Sequence, residues 1–148
     1  PAATLSPTDS NIPPRDIPED ANIIYVPVYS HIYATGATPV LLETTLSVRN
    51  TDPDEMITIS SIRYFDTKGM LVQEYLDGDL KLGPLESTEV LVEIRDSRGG
   101  SGANFMVSWF SDAPVYKPLA EAIMVGRSEN QDISFLSTGR QLERRIDR

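Results

Sequence analysis

The sequence predicts an all-β protein: an antiparallel, immunoglobulin-like β-sandwich of about 7–9 strands behind a Pro-rich extended leader. Three observations carry this. Short runs of β-branched and aromatic residues alternate with polar ones at a period of two. Clusters of Asp, Asn, Gly and Pro punctuate those runs at regular intervals. No long segment shows a helical apolar stripe.

Residues 1–21 read as leader. Pro7, Pro13, Pro14 and Pro18 sit among Ser, Thr, Asp and Asn, a composition that stays extended and buries little. The sandwich is expected over residues 22–138, and a basic tail over 139–148. The first strand covers 23–29, with Ile24, Val26, Val28 and Ile32 on one face and Tyr25, Tyr29, His31 and Tyr33 on the other. Pro27 cannot donate to a ladder, so this strand belongs at an edge or a bulge. Leu42, Thr44, Leu46 and Val48 then mark a half-buried strand that ends at the turn signal Asn50-Thr51-Asp52-Pro53-Asp54.

The next strand, 56–65, changes phase. Ile57 and Ile59 share one parity, Ile62 and Tyr64 the other, so a bulge near Ser60-Ser61 is expected to turn all four inward. Asp66-Thr67-Lys68-Gly69 makes a hairpin with 70–76. Alternation predicts a strand from Thr88 through Val90 and Val92 to Ile94, all on its buried face. A glycine-rich loop, 97–102, leads into 104–110, with Trp109 as the expected anchor between sheets. Two short strands at 119–125 and 133–136 close the domain.

Composition excludes several functions. The formal charge of −9 over 148 residues repels phosphate backbones, so no nucleic-acid partner is expected. No run approaches the ~18–20 apolar residues of a membrane span. With no Cys there is no disulfide, thiol chemistry or zinc–thiolate site. Pro1 in place of an initiator Met points to processing or trimming, and a signal peptide or lipid-anchored leader upstream of Pro1 is an expected form of the missing piece.

Several segments in order resemble a bacterial exported family catalogued as domain of unknown function 3124. They are YVPVYSHIY at 25–33, LSVRNTD at 46–52, GGSGANF at 99–105, EAIMVG at 121–126, ISF at 133–135 and GR at 139–140. The resemblance spans 22–140. It implies a small envelope protein, often made with a signal peptide or lipoprotein leader, and it brings no catalytic residues.

Candidate chemistry is sparse. His31 is the sole histidine, and its neighbour Ser30 points to the opposite strand face, so no nucleophile–base pair forms from them. No catalytic residue, metal ligand set or cofactor is expected. A row formed by Tyr25, Tyr29, His31 and Tyr33 suits a protein or sugar surface, or packs beneath a loop. The loop with Arg98, Gly99, Gly100, Ser101, Gly102 and Asn104 either holds a turn with positive φ or forms a partner contact; without a Lys-Ser/Thr ending it is no P-loop. Arg144 and Arg145, with Arg140 and Arg148, make a basic tail that is either solvated or docks on an acidic partner. Acidic turns at Asp52, Asp54, Glu55, Asp77 and Asp79 offer oxygen atoms to Ca²⁺, although Asp is common in turns for backbone reasons. The expected protein is a non-catalytic accessory or scaffold subunit of the periplasm or envelope, bound to a larger assembly such as a membrane complex. The alternative is a small-ligand or carbohydrate-binding module.

Overall fold

The computed structural model describes residues 4–5, 12–34 and 36–147 of the chain, so Pro1, Pro7 and Arg148 lie outside the described residues. Those residues form strands and connections without a helix: β1 (Thr4–Leu5), β2 (Asn22–Val28), β3 (His31–Tyr33), β4 (Pro39–Arg49), β5 (Ile57–Phe65) and β6 (Leu71–Glu74). They continue through β7 (Leu80–Leu82), β8 (Ser87–Val92), β9 (Ala103–Phe110), β10 (Leu119–Ser128), β11 (Gln131–Thr138) and β12 (Arg140–Gln141).

Two sheets pack over one core. The first runs β1-β8-β4-β10-β11, with β3 also on β4; the second runs β12-β2-β9-β5-β6, with β7 also on β5. All pairs are antiparallel except β1 on β8. The alternating inner residues of both sheets make a single cluster, including Ile24, Val26, Leu42, Leu46, Val90 and Met124. At its centre Tyr64 stacks on Phe105 with ring centroids 4.9 Å apart, and Tyr75 lies 5.9 Å from the same ring. Trp109 is buried at this cluster and donates its Nε1–H to Gln141 Oε1 at 3.1 Å.

The expected bulge is present. The register of β5 against β9 shifts between Ile59 and Ser61, and Ile57, Ile59, Ile62 and Tyr64 are all buried. A buried carboxylate holds the irregularity in place. Glu74 Oε1 accepts from Ser61 Oγ at 2.5 Å and Arg63 Nε at 3.3 Å, while Oε2 accepts the amides of Ile62 at 2.9 Å and Leu76 at 3.4 Å. Pro27 also follows the expected logic. β12 pairs with β2 only at Ile24 and Tyr25, so at Pro27 the strand has β9 alone as a neighbour and no amide is missed.

Four expectations are revised. Strand β8 stops at Val92, and Ile94 lies in the turn beyond it, exposed rather than inward. The alternation seen in sequence ran past the end of pairing. The leader is not free over its described part: Arg15 Nη2 pairs with Asp79 at 3.0 Å, and Arg63 donates to the Arg15 carbonyl. The tail begins later than 139, because Arg140 and Gln141 form β12 and the Leu142 amide donates to the Ile23 carbonyl at 2.8 Å. The tyrosine row is divided, because the chain changes sheets at Ser30. The Ser30 amide donates to Gly100 O at 2.9 Å and its carbonyl accepts from Leu42 N at 3.0 Å, so strand parity does not carry across it.

Candidate functional site

The outer face of the first sheet is where this fold departs from a solvated surface. In β10 the inward positions are Ala120, Ala122 and Met124, all buried. The outward positions are then Glu121, Ile123, Val125 and Arg127. Register places Ile123 between Thr45 of β4 and Leu136 of β11, and Val125 between Glu43 and Ser134. Directly opposed residues share a face, so Ile123, Val125 and Leu136 form one apolar group. Leu41 extends it along β4. Ile94, Tyr33 and these four residues are between 43% and 58% exposed, Tyr33 being the most open.

Two shallow depressions of about 470 and 490 Å³ lie on this face, and Ile94 and Arg127 line both. The first also takes in Glu43, Val125 and Ser134, the second Pro39 and Leu41. Charge marks the border. Glu43 stands opposite Val125, and Glu121 opposite Ser47 and Thr138. Arg127 is engaged by Asp132 at 3.0 Å. An apolar centre with an acidic border, on a chain of charge −9, favours a surface whose own border is basic.

The predicted aromatic residues reach three places. His31 and Tyr33 pair with Leu41 and Pro39, and so join the apolar outer face; their rings meet edge to face at 5.5 Å. Tyr29 packs edge-on against Phe135 at 5.6 Å where the sheets meet. Tyr25 sits in the second sheet opposite Met106 and Arg140. No continuous platform of rings results.

The glycine loop is occupied by the fold itself. Gly100, at φ +86°, donates to Ser30 Oγ at 2.8 Å, and Gly102 donates to Thr67 Oγ1 at 2.9 Å. Gly99 O accepts both the amide and the hydroxyl of Thr67, and a Cβ on Gly99 would collide with the Tyr64 phenol. Ser101 is exposed, and Asn104 lies on β9 opposite Pro27 and Phe65. Arg98 grips Asp96, with Nη2 at 2.7 Å from Oδ2, and reaches Gln73 Oε1 at 3.1 Å. That guanidinium holds the Asp96 carboxyl below its usual range, while burial pushes Tyr64 up to about 12. The loop therefore ties the β2–β3 corner to the β5–β6 turn.

Of the acidic turn residues, Asp79 pairs with Arg15 and Asp52 is likewise engaged by the fold. Asp52 Oδ1 accepts the amides of Asp54 and Glu55, each at 2.9 Å, and Oδ2 accepts that of Tyr116 at 3.1 Å. Those bonds hold its pKa below the usual carboxylate range. Among the described residues no group of three or more His, Asp or Glu side chains is arranged to hold a metal ion. Arg144 and Arg145 are exposed beyond β12. No helix among the described residues is long and apolar enough to cross a membrane.

Sequence reasoning missed Leu41, Ile123, Val125 and Leu136. The available signal was segment 119–125, where apolar residues occupy both parities: alanines and Met124 on one, Ile123 and Val125 on the other. A strand with apolar residues on both faces is a candidate for a covered outer face.

The chain matches, over residues 21–142, the model of the family described as "Protein of unknown function (DUF3124)". It belongs to the DUF3124 family. The DUF3124 match ends one residue beyond β12, at Leu142, whose amide closes onto β2. No curated protein matches the chain. Among solved structures, this DUF3124 domain is similar to "Crystal Structure of Thermotoga maritima 1070", at 13% identity and a TM-score of 0.47, covering 81% of this chain and 92% of that one.

Proposed function

We propose that this DUF3124 domain is a non-catalytic accessory or scaffold subunit of the bacterial cell envelope, docking on a larger protein assembly through the outer face of its first sheet. The observation that carries the reading is the apolar group Leu41, Ile123, Val125 and Leu136, each roughly half exposed on one sheet face. Covering a half-exposed Leu, Ile or Val is worth about 1 kcal/mol, so these four supply ~4 kcal/mol before ordering costs. The partner surface is apolar at its centre and carries Lys or Arg opposite Glu43 and Glu121. Placement in the envelope draws on the family resemblance and on the Pro-rich leader.

We also read the fold as an immunoglobulin-like sandwich. In support, β4 pairs with β8 and β5 with β9, as strands B–E and C–F do in that fold. The outer strands are exchanged relative to it: β2, the first long strand, joins β9, while β10 joins β4.

The test is native fractionation of gently solubilised source envelopes, comparing wild type with Ile123→Lys/Val125→Lys and with Met70→Lys in the β5–β6 turn. The face variant is expected to leave its assembly and migrate alone while Met70→Lys stays with it, both melting as the wild type does. Co-migration retained by the face variant, or wild type migrating alone, overturns the reading.

A further inference from the structure

The patch of exposed apolar side chains ends at β11, and β11 is an open sheet edge. Among the described residues no strand pairs with its far side, whereas the opposite edge of the same sheet is covered where β1 joins β8 at Glu89 and Val90. In the second sheet the outermost strands are short: β12 has two residues, β7 three and β6 four. β11 has eight, in unbroken register with β10 from Gln131 to Thr138. Edges of this length normally carry a Pro, a Lys or a bulge that discourages a further strand. QDISFLST has none of these, and its single charge, Asp132, is paired with Arg127.

The hairpin fixes which backbone groups are free. Glu129 and Asn130 have φ of 49° and 68°, the two positive values of a two-residue type I′ turn. Such a turn makes Ser128 and Gln131 the first hydrogen-bonded pair, and alternate pairs follow: 126 with 133, 124 with 135, 122 with 137. The next pair in that series is Ala120 with Gly139, and the Gly139 amide does donate to Ala120 O at 2.8 Å. The amides and carbonyls of Asp132, Ser134, Leu136 and Thr138 therefore point away from β10, to the open side. The side chains of the same four residues stand on the outer face beside Ile123 and Val125.

We infer that the docking partner contributes an extended segment that adds to β11 as a further strand, a refinement resting on the docking face proposed above. Its backbone pairs with Asp132, Ser134, Leu136 and Thr138. Its alternate side chains, apolar in the middle, continue the surface of Leu136 and Ile123, and a Lys or Arg at the end that lies beside Thr138 reaches Glu121 on β10. A second copy of this chain is the less suitable occupant, because each carries a charge of −9.

The probe is a synthetic peptide of about ten residues in which Val and Leu alternate with Lys and Thr, with a charge-reversed peptide (Glu for Lys) as control. Amide exchange is followed residue by residue on the full chain. The amides of Ser134 and Leu136 are expected to exchange quickly in the free protein, and to slow by about ten-fold or more with the basic peptide. Those of Ile133 and Phe135 are protected throughout. Ser134→Pro removes an outward donor without touching the β10 ladder or the apolar side chains, and it abolishes the peptide effect, whereas Ser134→Ala preserves it. Equal protection by both peptides, no protection, or protection that survives Ser134→Pro overturns strand addition. Failure here, with Ile123→Lys/Val125→Lys still losing its assembly, leaves the docking face standing without the strand. Sedimentation as a dimer that Ser134→Pro dissociates overturns the basic partner in favour of a second copy.

Discussion

Truncating Glu74 removes the clamp on the β5 bulge, and the structure sets the size of the effect. The carboxylate is buried and takes four donors: Ser61 Oγ, Arg63 Nε and the amides of Ile62 and Leu76. In Glu74→Ala the Ile62 amide and the Ser61 hydroxyl, both buried, lose their acceptor, at roughly 1–3 kcal/mol apiece. Arg63 keeps the Arg15 carbonyl and is partly exposed, so its loss is smaller. The longer bond from Leu76 contributes least. A destabilisation of about 4 kcal/mol follows, within the 3–5 kcal/mol measured when one member of a buried pair is removed. With a urea slope of about 1.5 kcal/mol per molar, the midpoint falls by between about 2 and 3 M. Glu74→Gln keeps one acceptor oxygen and is expected to lose about half as much. Urea unfolding followed by tryptophan fluorescence reads both variants, since Trp109 is the sole Trp. A loss below about 1 kcal/mol for Glu74→Ala, or equal losses for Ala and Gln, refutes the clamp.

Two further substitutions probe turns. Asp52 has a folded pKa held below its unfolded value, so its stabilising contribution is complete above about pH 4 and disappears as pH falls through the folded pKa. The difference in stability between wild type and Asp52→Asn is accordingly expected to be constant at neutral pH and to shrink below pH ~4; a difference that persists unchanged into acid contradicts the assignment. Leu85 has φ +60° after Pro84, with Glu86 N donating to Gly83 O at 3.0 Å, the third position of a type II turn where Gly or Asn belongs. Leu85→Gly is expected to raise stability by about 0.5–1 kcal/mol, since the side chain is exposed and the αL strain is relieved; a fall in melting temperature contradicts this.

The bulge and most of the strands were legible because one-face burial writes parity directly into sequence. A change of parity between Ile59 and Ile62 has few causes other than an extra residue. The same rule misled where pairing stopped but alternation did not. Ile94 continues the parity of Val92 beyond β8, and Tyr33 continues that of Tyr25 after the chain has changed sheets at Ser30. Parity is a property of one strand, and neither corner carries a Gly or Pro to announce it. The β10–β11 hairpin was hidden for a related reason. Its turn is Glu129-Asn130, without the Gly that usually marks a type I′ turn, so the two strands read shorter than they are. The docking face was hardest to see, since Ala120 and Ala122 signal burial weakly and apolar residues on both parities of 119–125 leave its buried face unmarked in sequence.

The central claim is that the outer face of the first sheet is a protein-docking surface. A photo-crosslinking residue placed at Ile123, with a second chain carrying it at Met70, tests this in the living source cell. The account predicts one discrete adduct from position 123, weakened by Glu43→Lys/Glu121→Lys, and none from position 70. The same adducts from both positions, or none from position 123, contradict it.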